Sequence, residues 1–155
     1  MQRILFVCLG NICRSPMAES IFRDMLEKRG LTDRFECASA ATSDEETGNP
    51  VYPPARARLR EMGISAGNKR AVTMTRDDYS RYDLLVGMET RNLAAMRRIC
   101  GGDPQGKIRR LLDWSDRPRD IADPWYTGDF RTASADIEEG CEALLAALTA
   151  GAAQR

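Results

Sequence analysis

Two residues with chemically reactive side chains, a cysteine and an arginine, lie close together near the start of the chain. They belong to the string Cys8-Leu9-Gly10-Asn11-Ile12-Cys13-Arg14-Ser15, which follows a short apolar run. A loop between a strand end and a helix start directs several backbone N–H groups at one point, and the helix dipole adds partial positive charge there. Gly10 and Asn11 are residue types that accept a positive φ. The string therefore predicts a curled loop that binds an anion such as phosphate.

The same loop makes Cys8 a candidate nucleophile. Thiols at helix N-termini or beside arginine favour the thiolate form, and the guanidinium of Arg14 can bind two phosphate oxygens in a fork. Ser15 is placed to donate a hydrogen bond to the thiolate. The competing interpretation is a buried core cysteine, since free cysteines are among the most buried residues. The position after a strand and before Ser15-Pro16, which reads as a helix start with Ser15 as N-cap, favours the nucleophile.

Composition limits the other chemistry available to this protein. The chain has no histidine, and its five cysteines form no Cys-x-x-Cys pair, which argues against a zinc site. Neither a metal nor a cofactor is expected. Proton transfer would have to come from a carboxylate, a thiol, a lysine or a tyrosine. The loop also lacks the Gly-x-Gly-x-x-Gly and Gly-Lys-Ser/Thr patterns of nucleotide sites.

Charge and hydropathy predict a cytoplasmic protein without a membrane span. The 23 basic and 23 acidic residues cancel, so a basic footprint for nucleic acid is absent. No apolar run approaches the roughly 18 residues that span a bilayer. The apolar run at residues 3–7 is too short for a signal peptide.

Hydrophobic periodicity predicts an α/β fold in a single domain, residues 1–155. Strands are expected at 3–7, 35–40, 82–87 and 107–112. Helical segments are expected from Ser15-Pro16 to Gly30 and at 53–62, 76–80, 89–99 and 131–149, with loops at 41–54 and 113–130. Strands that alternate with helices imply a four-stranded parallel sheet with helices on both faces. Such sheets bind ligands at the carboxyl ends of their strands, where the loop after the first strand lies.

Several segments together resemble one known family. They are Val7 to Pro16, Ser39-Ala40-Ala41-Thr42-Ser43, Gly48-Asn49-Pro50, Tyr82-Asp83-Leu84 with Met88-Glu89, and Asp123-Pro124-Trp125-Tyr126. They resemble the low-molecular-weight protein tyrosine phosphatases over nearly the whole chain. The resemblance implies a four-stranded parallel sheet and a two-step hydrolysis through a phosphocysteine, without a metal. It also implies phosphotyrosine proteins or peptides as substrates, and phosphate and other oxyanions as product or inhibitors.

The resemblance also assigns roles to individual residues. Cys8 would be the nucleophile, Arg14 would bind the phosphate, and Asp123 would act as general acid and then as base. Residues 9–15 would bind the phosphate, and Asn11, Ser15 and Ser39 would support the loop. Cys13 would form a reversible disulfide with Cys8, and the rings of Trp125 and Tyr126 would line the substrate cleft. Apart from the following Pro124, no local feature distinguishes Asp123 from the other acidic residues.

Two residues bear on the choice of substrate. Glu45 stands where the family often has an aromatic residue on the far wall of the cleft, so an acidic rim is expected there. Ile12 favours phosphotyrosine, since related protein arginine phosphatases tend to carry threonine at this position. The alternatives are a protein arginine phosphatase, an arsenate reductase, which would need a further cysteine pair, or a non-catalytic phosphate-binding module. The oligomeric state stays open.

Overall fold

A computed structural model describes the backbone of residues 1–153 and the side chains of residues 1–150. Its strands are β1 (Gln2–Cys8), β2 (Phe35–Ala41), β3 (Leu84–Gly87) and β4 (Ile108–Arg110). Its helices are α1 (Arg14–Lys28), α2 (Pro53–Glu61), α3 (Asp78–Arg81), α4 (Thr90–Cys100), α5 (Pro124–Thr127) and α6 (Phe130–Ala153). A 3-10 turn spans Leu111–Trp114. Residues 154–155 of the predicted domain lie outside the described residues.

The four strands form one parallel sheet in the order β2-β1-β3-β4. From β1 the chain first adds β2 on one side and later β3 on the other. The carboxyl end of β1 is therefore a topological switch point, where a parallel sheet opens a crevice. Cys8 is the last residue of β1, so the loop that follows begins in this crevice. The predicted α/β class, the four-stranded parallel sheet and the loop after its first strand are confirmed.

Helices cover both faces of the sheet. Alternate side chains of β1 point to opposite faces, and each set packs against helices. Phe6 packs edge-to-face on Phe22 of α1, with ring centroids 5.5 Å apart, in a core shared with α2 and α6. Val7 packs on the other face in a second core that contains Met96 of α4. Each fully buried side chain of this size contributes about 1.5–3 kcal/mol. Burial on both faces explains the uninterrupted apolar run of β1.

The start of α1 differs from the prediction. Ser15 is not the N-cap; Cys13 occupies that position without a side-chain cap hydrogen bond, and the helix begins at Arg14. The Ser15 hydroxyl instead lies 3.0 Å from the sulfur of Cys8, so it serves the loop and not the helix end. The predicted apolar face of α1 is confirmed by the burial of Ala18, Ile21, Phe22, Met25 and Leu26.

The third and fourth strands are shorter than predicted. Tyr82 is the C-cap of α3. The carboxylate of Asp83 accepts a hydrogen bond from the backbone N–H of Arg3 at 2.8 Å, and β3 begins only at Leu84. After Arg110 the chain tightens into the 3-10 turn, whose first two leucines are fully buried. Burial of these side chains ends the strand earlier than the apolar pattern indicates.

The predicted loop 113–130 contains the short helix α5. Pro124 is its first residue, a position where the missing N–H of proline costs no hydrogen bond. The last helix is confirmed and is longer than predicted, from Phe130 to Ala153. Within residues 1–153, none of the helices is both long enough and apolar enough to cross a membrane.

Candidate active site

The loop after β1 wraps around the sulfur of Cys8. The backbone N–H groups of Asn11 and Ser15 both donate to Cys8 Sγ, with N···S distances of 3.4 Å. Ser15 Oγ lies 3.0 Å from the same sulfur. These polar groups surround the sulfur at the N-terminal end of α1, where the helix dipole is positive. The arrangement stabilises negative charge on Cys8 and leaves the sulfur at the base of a cleft.

Asn11 holds the curl of this loop. Its φ of 58° lies in the left-handed region, whereas Gly10, which was also predicted to accept a positive φ, does not adopt one. Asn11 Nδ2 donates to Ser15 Oγ at 2.7 Å and to Ser39 Oγ at 3.0 Å, and Asn11 Oδ1 accepts from the backbone N–H of Val72 at 3.1 Å. These bonds offset the cost of the unusual backbone conformation and tie the loop to β2 and to the segment after α2.

A cluster of charged side chains lies behind the loop and was not predicted from the sequence. The Ser39 hydroxyl donates to Glu19 Oε1 at 2.5 Å, and Glu19 Oε2 accepts from Arg23 at 2.6 Å. Lys69 Nζ donates to the carbonyl of Ser39 at 2.8 Å and lies 4.0 Å from Glu19 Oε1. Burial lowers the pKa of Lys69, while the charges of Glu19 and Cys8 oppose this shift. The sequence feature that could have indicated this cluster is Glu19, an acidic residue among the apolar positions of α1.

Arg14 is a buried cation with several fixed partners. It is 1% exposed, and its Nη1 donates to the carbonyl of Ile121 at 2.8 Å. Its Nη2 lies 3.3 Å from Glu89 Oε1 and 3.3 Å from Asp123 Oδ2. The guanidinium is therefore held in one orientation at the cleft, which it also lines. Glu89 was not predicted as a site residue, because its link to Arg14 arises only in the folded chain.

Asp123 reaches the cleft at the end of an irregular segment, residues 115–123. The backbone N–H of Ile121 donates to the carbonyl of Met88 at 2.9 Å, which fixes this segment beside β3. Asp123 is the N-cap of α5, where its Oδ1 accepts from the backbone N–H of Trp125 at 3.1 Å. Its second oxygen, Oδ2, faces Arg14. One carboxylate oxygen is thus committed to the backbone, and the other is paired with Arg14 at the cleft.

The cleft has a volume of about 160 Å³ and brings most predicted site residues together. Its lining consists of Cys8, Leu9, Gly10, Ile12, Cys13, Arg14, Ser43, Glu45, Glu46, Asp123, Trp125 and Tyr126. Asn11, Ser15 and Ser39 lie behind this surface and act on it through hydrogen bonds. Ser43 and Glu46 were not predicted as lining residues.

Aromatic rings form one wall of the cleft. Trp125 is 49% exposed and packs on Tyr52, with ring centroids 4.7 Å apart. Tyr126 is 77% exposed and lies at the mouth. Tyr52 was not predicted; it supports Trp125 from the start of α2. A flat substrate ring can lie against these side chains.

The second cysteine of the loop is a protonated thiol. Burial raises the pKa of Cys13 to about 12, with a further contribution from the charge on Cys8. Cys8 and Cys13 are both free thiols in this structure. Among residues 1–150, histidine, cysteine, aspartate and glutamate side chains form no cluster of three that could bind a metal ion.

Comparison with known proteins identifies the family. The sequence model of the low molecular weight phosphotyrosine protein phosphatases matches residues 3–154. The low molecular weight protein-tyrosine-phosphatase YfkJ of Bacillus subtilis is 39% identical over 150 residues, which cover 96% of each chain. The low molecular weight phosphotyrosine protein phosphatase of Gallus gallus is 34% identical over 94% of each chain.

Solved structures agree with the sequence comparison. The crystal structure of YfkJ superposes with a TM-score of 0.94 at 38% identity, and covers 97% of this chain and 96% of its own. An arginine phosphatase from Drosophila has a TM-score of 0.86 at 27% identity, over 96% of this chain and 98% of its own. The fold alone therefore does not separate the two substrate classes. Family model, relatives and structures agree that this chain belongs to the low molecular weight phosphotyrosine protein phosphatases, a family of hydrolases, as its sequence predicted.

Proposed function

We propose that this protein hydrolyses phosphotyrosine in proteins or peptides through a phosphocysteine intermediate. The observation that carries the proposal is the position of one sulfur, Cys8 Sγ. Two backbone N–H groups and the Ser15 hydroxyl surround it at the base of a cleft, whose lining also includes the Arg14 guanidinium and the Asp123 carboxylate. The role of each residue below is part of this proposal.

In the first step the Cys8 thiolate attacks the phosphorus of the bound phosphate. A sulfur–phosphorus bond forms and the bond from phosphorus to the phenolic oxygen breaks. Backbone N–H groups of residues 9–15 and the fork of Arg14 bind the phosphate oxygens and stabilise the charge of the transition state. Asp123, in its protonated form, gives its proton to the departing phenolate.

In the second step a water molecule attacks the phosphocysteine. Asp123, now a carboxylate, accepts a proton from this water, and the phosphorus–sulfur bond breaks to release phosphate and the Cys8 thiolate. Ser15 stabilises the departing thiolate through its hydroxyl. The reaction needs neither histidine nor a metal, because the loop and Arg14 supply the positive charge. Phosphate and other oxyanions are expected to compete for the same loop.

Phosphotyrosine is favoured by the walls of the cleft. Trp125 and Tyr126 offer aromatic surface to a phenyl ring, and the apolar side chain of Ile12 lines the cleft beside Cys8. Phosphoarginine is the alternative, given the similarity to an arginine phosphatase from Drosophila. A cytoplasmic location suits a thiol enzyme of this kind, since reducing conditions keep cysteines free.

Turnover of p-nitrophenyl phosphate in the presence of EDTA tests the proposal. We expect hydrolysis by the wild type and a loss of more than about a thousandfold in Cys8→Ser, because a hydroxyl does not replace the thiolate as nucleophile. Phosphotyrosine and phosphoarginine peptides in the same assay identify the substrate class. Phosphate binding without any hydrolysis would show a binding module, and activity that survives Cys8→Ser would overturn the assignment.

The role of Asp123 as general acid is tested by varying the acidity of the leaving phenol. Asp123→Ala is expected to slow esters of poorly acidic phenols about 100-fold or more, while activated esters, which leave without a proton, lose less. Rates for a series of substituted aryl phosphates give the measurement, and Asp116→Ala, in the same segment, serves as control. Equal losses across the series would contradict the role of Asp123 as general acid.

A further inference from the structure

A second depression lies next to the active-site cleft and shares part of its lining with it. This groove, about 480 Å³ in volume, runs between α4 and the segment that carries α5. Four residues line both depressions: Leu9, Ser43, Asp123 and Tyr126. A peptide whose phosphotyrosine enters the cleft can therefore reach the groove by passing over these shared residues.

Two arginines give the groove its charge. Arg91 and Arg98 line it from α4, and both are exposed. Their spacing of two helical turns places them on one face of α4, about 10 Å apart along the axis. Among residues 1–150, neither guanidinium takes part in an ion pair. Both cations therefore face the groove without a carboxylate partner in the described chain.

The two carboxylates in the groove are already paired. Glu89 and Asp123 line its end nearest the cleft, and each lies 3.3 Å from Nη2 of Arg14. That one guanidinium offsets one of their two negative charges, so this end of the groove stays acidic. The positive charge of the groove lies beyond them, at Arg91 and Arg98.

The rim of the cleft, in contrast, is negatively charged. Glu45 and Glu46 line the cleft but not the groove, whereas Arg91 and Arg98 line the groove but not the cleft. An acidic side chain next to the phosphotyrosine would be repelled by the two glutamates and attracted by the two arginines. The charges thus distinguish the two directions in which a peptide chain can leave the cleft.

We propose that the groove is a specificity subsite that binds acidic side chains flanking the phosphotyrosine of a peptide substrate. The proposal rests on the proposed function and adds the substrate's sequence preference to it. Guanidinium groups bind carboxylates in a fork. An extended peptide advances about 3.3–3.6 Å per residue, so the spacing of the arginines corresponds to about three residues. Acidic residues on one side of the phosphotyrosine, within about four positions, are therefore the ones recognised.

Matched phosphotyrosine peptides test this subsite. One series carries three glutamates, three lysines or three alanines on the N-terminal side of the phosphotyrosine, and a second series carries them on the C-terminal side. The enzymes are wild type, Arg91→Glu/Arg98→Glu, the milder Arg91→Gln/Arg98→Gln, and Arg97→Glu as matched control. Arg97 is exposed on the same helix but does not line the groove. Each kcat/KM is divided by that for p-nitrophenyl phosphate, which is too small to fill the groove.

We expect the wild type to prefer the glutamate peptide over the alanine peptide in one series by about fivefold at low salt, the effect of two exposed ion pairs. The glutamine pair should remove the preference, the glutamate pair should transfer it to lysine, and Arg97→Glu should retain it. A preference that is absent, or that survives in the Arg91/Arg98 variants, would overturn the subsite. Failure of the wild type on every phosphotyrosine peptide would instead refute the proposed function.

Discussion

Cys8 and Cys13 belong to one loop, yet the surroundings of their sulfur atoms differ. Cys8 Sγ receives two backbone N–H groups and faces the cleft. Cys13 occupies the N-cap position, where burial raises its pKa to about 12. At pH 7 its thiolate fraction would be about one in 100,000, because each pH unit below the pKa reduces that fraction tenfold. Only one of the two cysteines is therefore suited to nucleophilic attack near neutral pH.

Alkylation with iodoacetamide checks this difference. At pH 7 the reagent is expected to modify Cys8 and to leave Cys13 untouched, since only the thiolate reacts. Peptide mass spectrometry locates the modified residue and gives its rate. Cys8→Ser provides the control, and rapid labelling of Cys13 in that variant would contradict the expected protonated state.

Lys69 should influence the reaction without touching the substrate. Its ammonium group lies behind the loop, and its charge and that of a Cys8 thiolate attract each other. Lys69→Gln is expected to lower kcat/KM for p-nitrophenyl phosphate about threefold and to slow alkylation of Cys8 similarly. Arg70→Gln is the matched control, because within residues 1–150 the guanidinium of Arg70 donates to the carbonyl of Gly48 and to no other group. If both variants behave alike, the charge of Lys69 has no such role.

At the scale of elements, the irregular segment 115–123 decides where the proposed general acid lies. Ile121 anchors it at the cleft end through its own carbonyl and N–H, bonded to Arg14 and Met88. Arg119 anchors it on α6, where its guanidinium binds Asp136 at 2.8 Å and Glu139 at 3.1 Å. These carboxylates raise the pKa of Arg119. A segment without helix or strand bonds depends on such side-chain anchors for its position.

Replacement of Arg119 should therefore loosen the position of Asp123 at the cleft. Arg119→Gln is expected to reduce kcat about two- to fivefold for esters of poor leaving groups, and less for activated esters, because Asp123 is held less firmly. The same series of aryl phosphates that tests Asp123 provides the measurement. Arg117→Gln, exposed two residues earlier, should leave both rates unchanged. A uniform loss over the series would point to general destabilisation instead.

For the molecule as a whole, the partly buried thiol of Cys37 connects stability to pH. Burial raises the pKa of Cys37 to about 12, against an ordinary value of 9.0. The unfolded chain releases this proton near pH 9, while the folded chain keeps it. Between these values the unfolded state binds fewer protons, so the free energy of unfolding falls as pH rises. The contribution of Cys37 is fully present below pH 9 and is lost towards pH 12.

Urea denaturation at pH 7.5 and 10.5, under reducing conditions, measures this effect. The decrease in the free energy of unfolding between the two pH values is expected to be smaller in Cys37→Ala than in the wild type, by about 1–2 kcal/mol. Because each protein is compared with itself at the two pH values, the part of the substitution's effect on the free energy of unfolding that does not depend on pH cancels. An identical decrease in both proteins would show that Cys37 ionises normally in the folded chain.

The local sequence was sufficient for the parts of this protein that depend on neighbouring residues. An apolar run, a helix start and the residues between them predicted the loop around Cys8, and hydrophobic periodicity predicted the strands and helices. Strand and loop boundaries were less accurate, because burial of Leu111 and Leu112 and the bond between Asp83 and Arg3 depend on distant partners.

Contacts between side chains that are far apart in sequence became visible only in the folded chain. Asp123 lies 109 positions from Arg14. The family resemblance assigned a role to Asp123, but no local feature of the sequence predicted its contact with Arg14. The link from Glu19 through Ser39 to Asn11, and the support of Trp125 by Tyr52, arise in the same way. The reactive loop and the elements that carry it could be predicted from the sequence, because both depend on neighbouring residues. Its proposed proton donor, its buried charges and the basic groove beside it exist only because packing brings distant segments together.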